Sequence, residues 1–319
     1  MRQHLIRRLL ASLITLFGIS ILVFGAIRLV PGDQITAQLG TEAGMLSDEQ
    51  RASLERYYGL DRPVVEQYFT WITNALQGNF GLSIRQGREV LPLILERFPV
   101  TLELALLSVI LALFIGIPIG IVSSLRRNTW IDFFGRVFSM LGLSVPNFLL
   151  GTLIIYVLSV YFKILPNSGN YVDFVEDPVM NLQQLIFPAI TMGFSFAASI
   201  MRMTRSAMLE VLNESYVRTA RSKGLKEHTV ILRHAMRNAL IPVVTLIGIE
   251  FGYLLGGAFI TEQIFSLPGI GRLAINAITQ REYALVQGIA MFIVFNFIVI
   301  NFIVDVLYGL LDPRVSYDK

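Results

Sequence analysis

Apolar residues gather into six runs along the chain, covering roughly 9–30, 100–125, 137–162, 185–201, 240–260 and 284–311. A helix of about 20 apolar residues crosses the hydrocarbon core of a bilayer. Five of the runs reach that length, and the fourth is short. The pattern predicts an all-α polytopic membrane protein with six transmembrane helices. The fourth and fifth runs carry Pro188, Gly248, Gly252, Gly256 and Gly257. Membrane helices tolerate such residues because packed neighbours satisfy the backbone, and small residues let helices approach closely. The first run has a basic start at Arg2, Arg7 and Arg8, as a secretory signal does. It is longer than a signal core of about 7–15 residues and no small-x-small cleavage site follows it, so it reads as an uncleaved span.

The polar connections divide by charge. Arg2, Arg7 and Arg8 precede the first run, and Arg126, Arg127 and Arg136 follow the second. The connection after the fourth holds Arg202, Arg205, Arg218, Arg221, Lys223, Lys226, Arg233 and Arg237 against Glu210, Glu214 and Glu227. With six spans these segments share one side, and the bias of Lys and Arg toward the cytoplasm places both termini there. The connection after the third run is acidic, with Asp173, Glu176 and Asp177. The long segment 31–98 is then external. Within it Ser47-x-x-Gln50 reads as a capping box, and Val65, Phe69, Ile72 and Leu76 fall at helical spacing. A helix pair stabilising the mouth and a docking surface for an external partner both fit that pattern. No internal repeat or low-complexity tract stands out.

Composition agrees with a membrane protein. Of 319 residues 54% are hydrophobic and 15% charged, and the net charge of +3 needs no nucleic-acid partner. Soluble domains carry roughly a quarter charged residues. The absence of Cys excludes disulfides, thiol catalysis and Cys-based metal sites, and His4, His228 and His234 are too scattered for a metal site. No GxxxxGK[ST] phosphate loop, GxSxG or HExxH occurs, so the chain does not bind ATP by that loop and shows none of those catalytic patterns. Within or beside the apolar runs stand Glu103, Glu250 and Asp305. A carboxylate at mid-bilayer costs about 2.5–3.5 kcal/mol on insertion scales. Glu250 lies deepest; pairing with a neighbouring helix and a proton relay are its two readings. Asn296 and Asn301 are polar positions of the last run, suited to joining helices.

The basic insert 202–239 is longer than a minimal helix connection of about 2–8 residues. It is helical in pattern and broken at Gly224. If the helix continues that far, Ala220 and Gly224 share one face and leave a patch low enough to lie in a groove of another protein. A basic loop touching anionic lipid accounts for the charge equally well.

The stretch Tyr216-Val217-Arg218-Thr219-Ala220-Arg221-Ser222-Lys223-Gly224, with Arg233-His234-Ala235-Met236-Arg237-Asn238-Ala239, is specific enough to name a family. It resembles the cytoplasmic Glu-Ala-Ala loop of ABC-importer permease subunits, and more closely the dipeptide/oligopeptide/nickel permeases. Arg28-Leu29-Val30-Pro31-Gly32-Asp33, Tyr58-Gly59-Leu60-Asp61, Arg97-Phe98-Pro99-Val100-Thr101-Leu102-Glu103-Leu104, Glu262, Pro268-Gly269-Ile270-Gly271, Arg281-Glu282-Tyr283 and Asp312-Pro313-Arg314 extend the resemblance over nearly the whole chain. Gln34 stands where Pro is usual, Arg218 where the general loop has Glu, and Arg237 where it has its later Pro.

The resemblance implies the type I ABC importer permease fold in a bacterial or archaeal inner membrane, and the B-type subunit of a pair. It divides the chain into 1–98, a core of 99–312 with the coupling loop 202–239, and a tail of 313–319. It implies a non-catalytic subunit with no cofactor of its own, and ATP and Mg bound by two partner ATPases. A second permease and an extracytoplasmic binding protein complete the assembly. Tyr216, Arg218, Thr219, Ala220, Lys223 and Gly224 would couple to the ATPases, while Glu103, Glu250, Asn296 and Asn301 are candidates for pathway walls or helix packing. Peptides are the expected cargo, with nickel chelates, glutathione or sugars as alternatives. An ion-driven transporter would instead show inverted repeats and intramembrane charges, of which Glu250 alone is suggestive. A membrane enzyme would need clustered catalytic groups.

Overall fold

A computed structural model describes residues 2–29, 35, 44–57, 59–164, 166 and 170–311. The tail 312–319, residues 30–33 of the opening motif and Tyr58 lie outside the described residues. Helix α1 (Arg2–Arg28) is followed by two short helices, α2 (Asp48–Tyr57) and α3 (Val64–Leu76). Ser47 and Gln50 close the expected capping box: the Ser47 N–H donates to Gln50 Oε1 at 2.9 Å and the Gln50 N–H donates to Ser47 Oγ at 3.2 Å. A small antiparallel hairpin, β1 (Leu82–Ser83) and β2 (Arg88–Glu89), leads into the 36-residue α4 (Val90–Leu125). Then come α5 (Trp130–Ser144), α6 (Asn147–Val157) continued by a π-helical turn Leu158–Phe162, and α7 (Pro178–Val211). The chain continues with α8 (Ser215–Ser222), a three-residue α9 (Glu227–Thr229), a π-helical segment Val230–Ala235 and α10 (Met236–Gly257). It closes with α11 (Phe259–Ile264), α12 (Ile270–Thr279) and α13 (Tyr283–Leu311).

Among the described residues five stretches are long and apolar enough to cross a membrane, and α5 with α6 makes a sixth bent by 100°. The third run is therefore not one straight span. Pro146 cannot donate a helical hydrogen bond and holds Val145 out of the helical region (ψ 119°), so the axis turns there. The fourth run is not short either. Polar Asn181, Gln184, Arg202, Thr204 and Arg205 dilute its hydropathy, yet α7 is a continuous 34-residue helix.

Burial separates central from peripheral spans. Two thirds of the apolar window of α7 is buried (67%), against 11% in α1 and in α13. Helix α7 packs on α4 along a seam of small residues at four-residue spacing. Ser108, Ala112, Gly116 and Gly120 of α4 meet Ala189, Gly193 and Ala197 of α7 and the residues that follow them. A Cβ on Gly116 would lie 2.7 Å from the Ala197 carbonyl oxygen, and one on Gly193 2.9 Å from that of Ser108. The backbones touch, the packing mode that small-x-x-x-small patterns allow in membranes. The same device joins α10 to α13, where Gly248 lies on Val304 and Gly252 on Phe297.

These contacts fix which ends lie together. Helices α4 and α7 run in the same direction, with Gly193 at Ser108 and Met201 and Thr204 at Gly120. Gly288 lies on Val90 and Phe98 stacks edge-on against Phe292 at 5.1 Å, so α13 runs with them. Arg8 pairs with Asp305 at 3.1 Å, which brings the start of α1 to the end of α13. All the basic segments thus gather at one end of the bundle. The hairpin, α3 and the acidic connection lie at the other, called here the far end.

Candidate functional site

At the basic end, the site begins where α7 leaves the bundle. Asp132 near the start of α5 is completely buried. Its Oδ1 accepts from Ser123 Oγ (2.6 Å) and Arg205 Nε (2.6 Å), and its Oδ2 from a terminal Arg205 nitrogen (2.9 Å) and the Asn128 N–H (3.1 Å). Arg136 stands 3.8 Å away. This two-point guanidinium–carboxylate contact is the strong form of a charged hydrogen bond. One carboxylate therefore ties the end of α4, the α4–α5 turn and α5 to α7. In the sequence Arg205 stands out only as part of a basic segment, and nothing marks Asp132. The two are 73 positions apart, and no local pattern announces their contact.

Six residues beyond Arg205, α7 ends and α8 begins. Val217 and Ala220 of α8 are buried against Val230 of the π-helical segment, with Val211 of α7 beside them. Arg218, Thr219 and Ser222 face away, and Tyr216 is partly exposed (39%). The Tyr216 hydroxyl accepts from Asn238 Nδ2 at 2.7 Å, which fastens α8 to α10. Arg218 reaches back to the Asn213 carbonyl at 3.1 Å. Lys223 caps the helix, and Gly224 follows in the left-handed region at φ +76°. An L side chain is strained there, which is the physical reason for glycine at that turn. Arg221 and Glu227 pair across it at 2.7 Å, and the hydrogen bond to Glu227 pushes the Arg221 pKa up.

This geometry changes the reading of the Ala220/Gly224 pair. The helix stops before Gly224, so the two share no helical face. Ala220 is small because it packs against the chain's own Val230, and Gly224 is there for the turn. The outward surface of α8 is polar: Ser215, Arg218, Thr219 and Ser222.

The four candidate polar wall residues do not come together. Glu103 on α4 accepts from the Tyr171 hydroxyl (2.7 Å) and Asn181 Nδ2 (3.0 Å), and Asn181 also donates to the Val172 carbonyl (3.1 Å). It pins the acidic connection to α4 and α7, and burial followed by the Glu103 hydrogen bond pushes the Tyr171 phenol up. Glu250 on α10 is half-buried and faces the Ser199 hydroxyl of α7, the pairing expected of an inward polar group. On α13, Asn296 donates to the Phe292 carbonyl at 2.8 Å, and Asn301 is half-buried.

A second buried carboxylate lies at the far end. Glu262 on α11 is completely buried. It accepts from Thr101 Oγ1 at 2.7 Å and from the N–H groups of Arg272 (3.0 Å) and Gly271 at the start of α12. Thr101 in turn accepts from the Ile270 N–H at 2.9 Å. Gly269 sits against the carboxylate with no room for a Cβ. The motif of Pro268 to Gly271 with Glu262 is thus a helix N-terminus closed by a side chain from another element.

A bundle with a bent third span, a long small-residue seam and a helical loop folded across its basic end is the architecture of an ABC importer permease. Two solved structures share it: the inward-facing MetNI methionine ABC transporter, at TM-score 0.54 and 16% identity over 69% of this chain and 96% of that one, and an amino acid ABC transporter crystallised with histidines, at TM-score 0.51 and 16% identity over 70% and 94%. At that identity the likeness is one of fold.

The sequence carries the assignment further. Residues 116–317 match the binding-protein-dependent transport system inner membrane component, and residues 1–105 match the N-terminal part of such membrane components. The glutathione transport system permease protein GsiC of Escherichia coli strain K12 is 40% identical over 318 residues, 99% of this chain and all of the relative. GsiC of Shigella dysenteriae serotype 1 matches equally. The chain belongs to the binding-protein-dependent transport system inner membrane components. It is a non-catalytic, multi-pass permease subunit of an inner-membrane ABC importer.

Proposed function

We propose that this permease carries small peptides, and that α8 is the element on which cytoplasmic ATPases act. The peptide reading rests on the full-length similarity to a glutathione permease, since glutathione is itself a tripeptide. The basic end is then cytoplasmic, by the Lys and Arg bias, and a second permease completes the pathway. Residues 1–98 form the first span with an external segment, 99–312 the core and 313–319 the tail.

One observation supports the coupling reading above the others. Helix α8 offers a polar outward face while Val217, Ala220 and Tyr216 anchor it to the permease's own helices. An element built this way can take a push and hand it to α7 without melting. The Asp132–Arg205 contact lies on α7 just before α8, so a displacement of α8 reaches α4 and α5 as well. Tyr216, Arg218, Thr219, Ala220, Lys223 and Gly224 keep their coupling assignment in two roles. Arg218, Thr219 and Lys223 meet the ATPase, while Tyr216, Ala220 and Gly224 hold the shape. Glu250, Asn296 and Asn301 remain candidates for the pathway wall or the permease–permease contact.

The test is Arg218→Glu with Ser222→Glu, two exposed positions whose change leaves the Val217 cluster intact. The account expects the purified permease pair to lose its ATPases and transport to stop, with thermal unfolding of the spans unchanged. Retained transport with bound ATPases would remove α8 from the coupling role. Peptide cargo is tested separately, by competition between labelled glutathione or dipeptides and unlabelled sugars or nickel chelates for uptake.

A further inference from the structure

Helix α3 has three faces. Val64, Tyr68, Trp71 and Ala75 form one, and its two aromatic residues meet α1: Tyr68 lies edge-on to Phe17 (6.3 Å) and Phe24 (5.2 Å), and Trp71 is 5.6 Å from Phe24. The Tyr68 hydroxyl shares a buried hydrogen bond of 2.7 Å with Ser20 Oγ. Glu66, Thr70, Thr73 and Asn74 form a polar face. Between them runs a stripe of Val65, Phe69, Ile72 and Leu76, spaced as one side of a helix. Val65, Phe69 and Leu76 of that stripe are 67%, 57% and 79% exposed. The expected apolar spacing is therefore present, but the stripe is not what packs on the protein.

Depth decides what covers it. Arg28 ends α1, stands over the Phe24 ring at 3.6 Å and hydrogen-bonds Gln67. Ser20 lies eight residues deeper, about 12 Å at a helical rise of about 1.5 Å per residue. Half the hydrocarbon thickness of a bilayer is about 15 Å. Helix α3 thus lies against α1 at a level where α1 itself is inside the membrane. Helix α1 also exposes Ile21 and Leu22 at this level, and 11% of its apolar window is buried in the protein, so the span is lipid-facing there. The exposed stripe of α3 stands beside that span. Thr70 and Thr73 on the polar side donate back to the Glu66 and Phe69 carbonyls, and Glu66 pairs with Arg62 at 3.2 Å, so that side suits the water boundary.

We propose that α3 is an interfacial helix seated in the far leaflet, with Val65, Phe69, Ile72 and Leu76 in contact with acyl chains. It turns part of the segment between the first two spans from a water-exposed domain into a membrane anchor. An amphipathic helix of this kind sinks its apolar face about 5–10 Å below the headgroups. The inference needs only the membrane setting of the chain and does not rest on the cargo or on α8.

The chain has no cysteine, so single spin labels can be read without background from it. The assembled importer would be reconstituted in vesicles of phosphatidylethanolamine and phosphatidylglycerol. Labels would be placed one at a time through Val65→Cys, Phe69→Cys and Leu76→Cys, and through Glu66→Cys, Thr70→Cys and Thr73→Cys. Accessibility to oxygen, which concentrates in lipid, is compared with accessibility to a water-soluble nickel chelate. Oxygen should dominate at the first three sites and the nickel chelate at the other three. Nickel access along the stripe would put α3 in water and overturn the proposal. Protection of the stripe from both reagents would mean that protein covers it, as a second permease would, and would overturn it equally. Reading three sites separately keeps the test decisive if one variant fails to assemble.

Discussion

Asp132 and Glu262 are both fully buried carboxylates that accept several hydrogen bonds, one at each end of the bundle. Their partners differ. Asp132 is met by a guanidinium from another helix, so the contact joins two bodies through charge. Glu262 is met by the Thr101 hydroxyl of α4 and by backbone N–H groups at the start of α12, so the contact pins the α11–α12 turn to α4 without a countercharge. The first is a joint that holds the end of α4 and α5 to α7. The second is a fixture that holds the far-end turn of α11 and α12 in one shape. A charged pair survives a small rigid-body shift of both members, whereas an N-terminal cap depends on angles set by the backbone itself.

Breaking each contact should separate the roles. The largest effect belongs to Asp132→Ala, which leaves Arg205 without its buried partner. Removing one member of a buried pair costs about 3–5 kcal/mol, and the partial exposure of Arg205 (21%) argues for the lower part of that range. Thermal unfolding of the purified permease pair reads the loss, and substrate-stimulated ATP hydrolysis should lose its link to transport. Glu262→Ala comes next, at about 1–3 kcal/mol for the backbone donors left bare, with hydrolysis and transport falling together.

Acidity sharpens the contrast. Burial pushes the Glu262 pKa above its ordinary value. The folded state then binds a proton more readily than the unfolded one, so this group's contribution is fully present below the unfolded carboxylate pKa. That contribution declines as pH rises through the raised one. Unfolding scans across that window should show stability falling with rising pH, and Glu262→Gln should flatten the slope. The smallest effect is expected at Arg221→Gln or Glu227→Gln. That pair is exposed, and such pairs contribute about 0–1 kcal/mol; a marked loss of transport there would mean the turn does more than connect.

The legible parts of the fold were those written in local pattern. The spans show as apolar runs, and Ser47 with Gln50 shows as a capping box because its bonds join residues three apart. The break of the third span was present in the sequence as Pro146. The fourth apolar run understates α7 because a central membrane helix can hold Asn181, Gln184 and Arg205 once they find partners inside the protein. The stripe of Val65, Phe69, Ile72 and Leu76 has helical spacing and lies on a helix, but periodicity does not say which neighbour an apolar face meets. Tyr68 and Trp71 make the protein contact instead. At the candidate site, the location of the helical insert was legible and its facing was not. Ala220 looks inward because Gly224 reverses the chain and brings Val230 back onto it, a consequence of the turn. The Asp132–Arg205 joint depends on the bundle being assembled and leaves no mark on either local sequence.

The central claim is that the outward face of α8 meets an ATPase. A photoreactive residue placed at Thr219, which faces away from the permease, and in a second variant at Val217, which faces into it, tests this in the assembled importer. The account predicts a crosslink from position 219 to an ATPase subunit, identified by mass spectrometry, and none from position 217. No ATPase product from position 219 in a complex that still transports, or equal products from both positions, would contradict it.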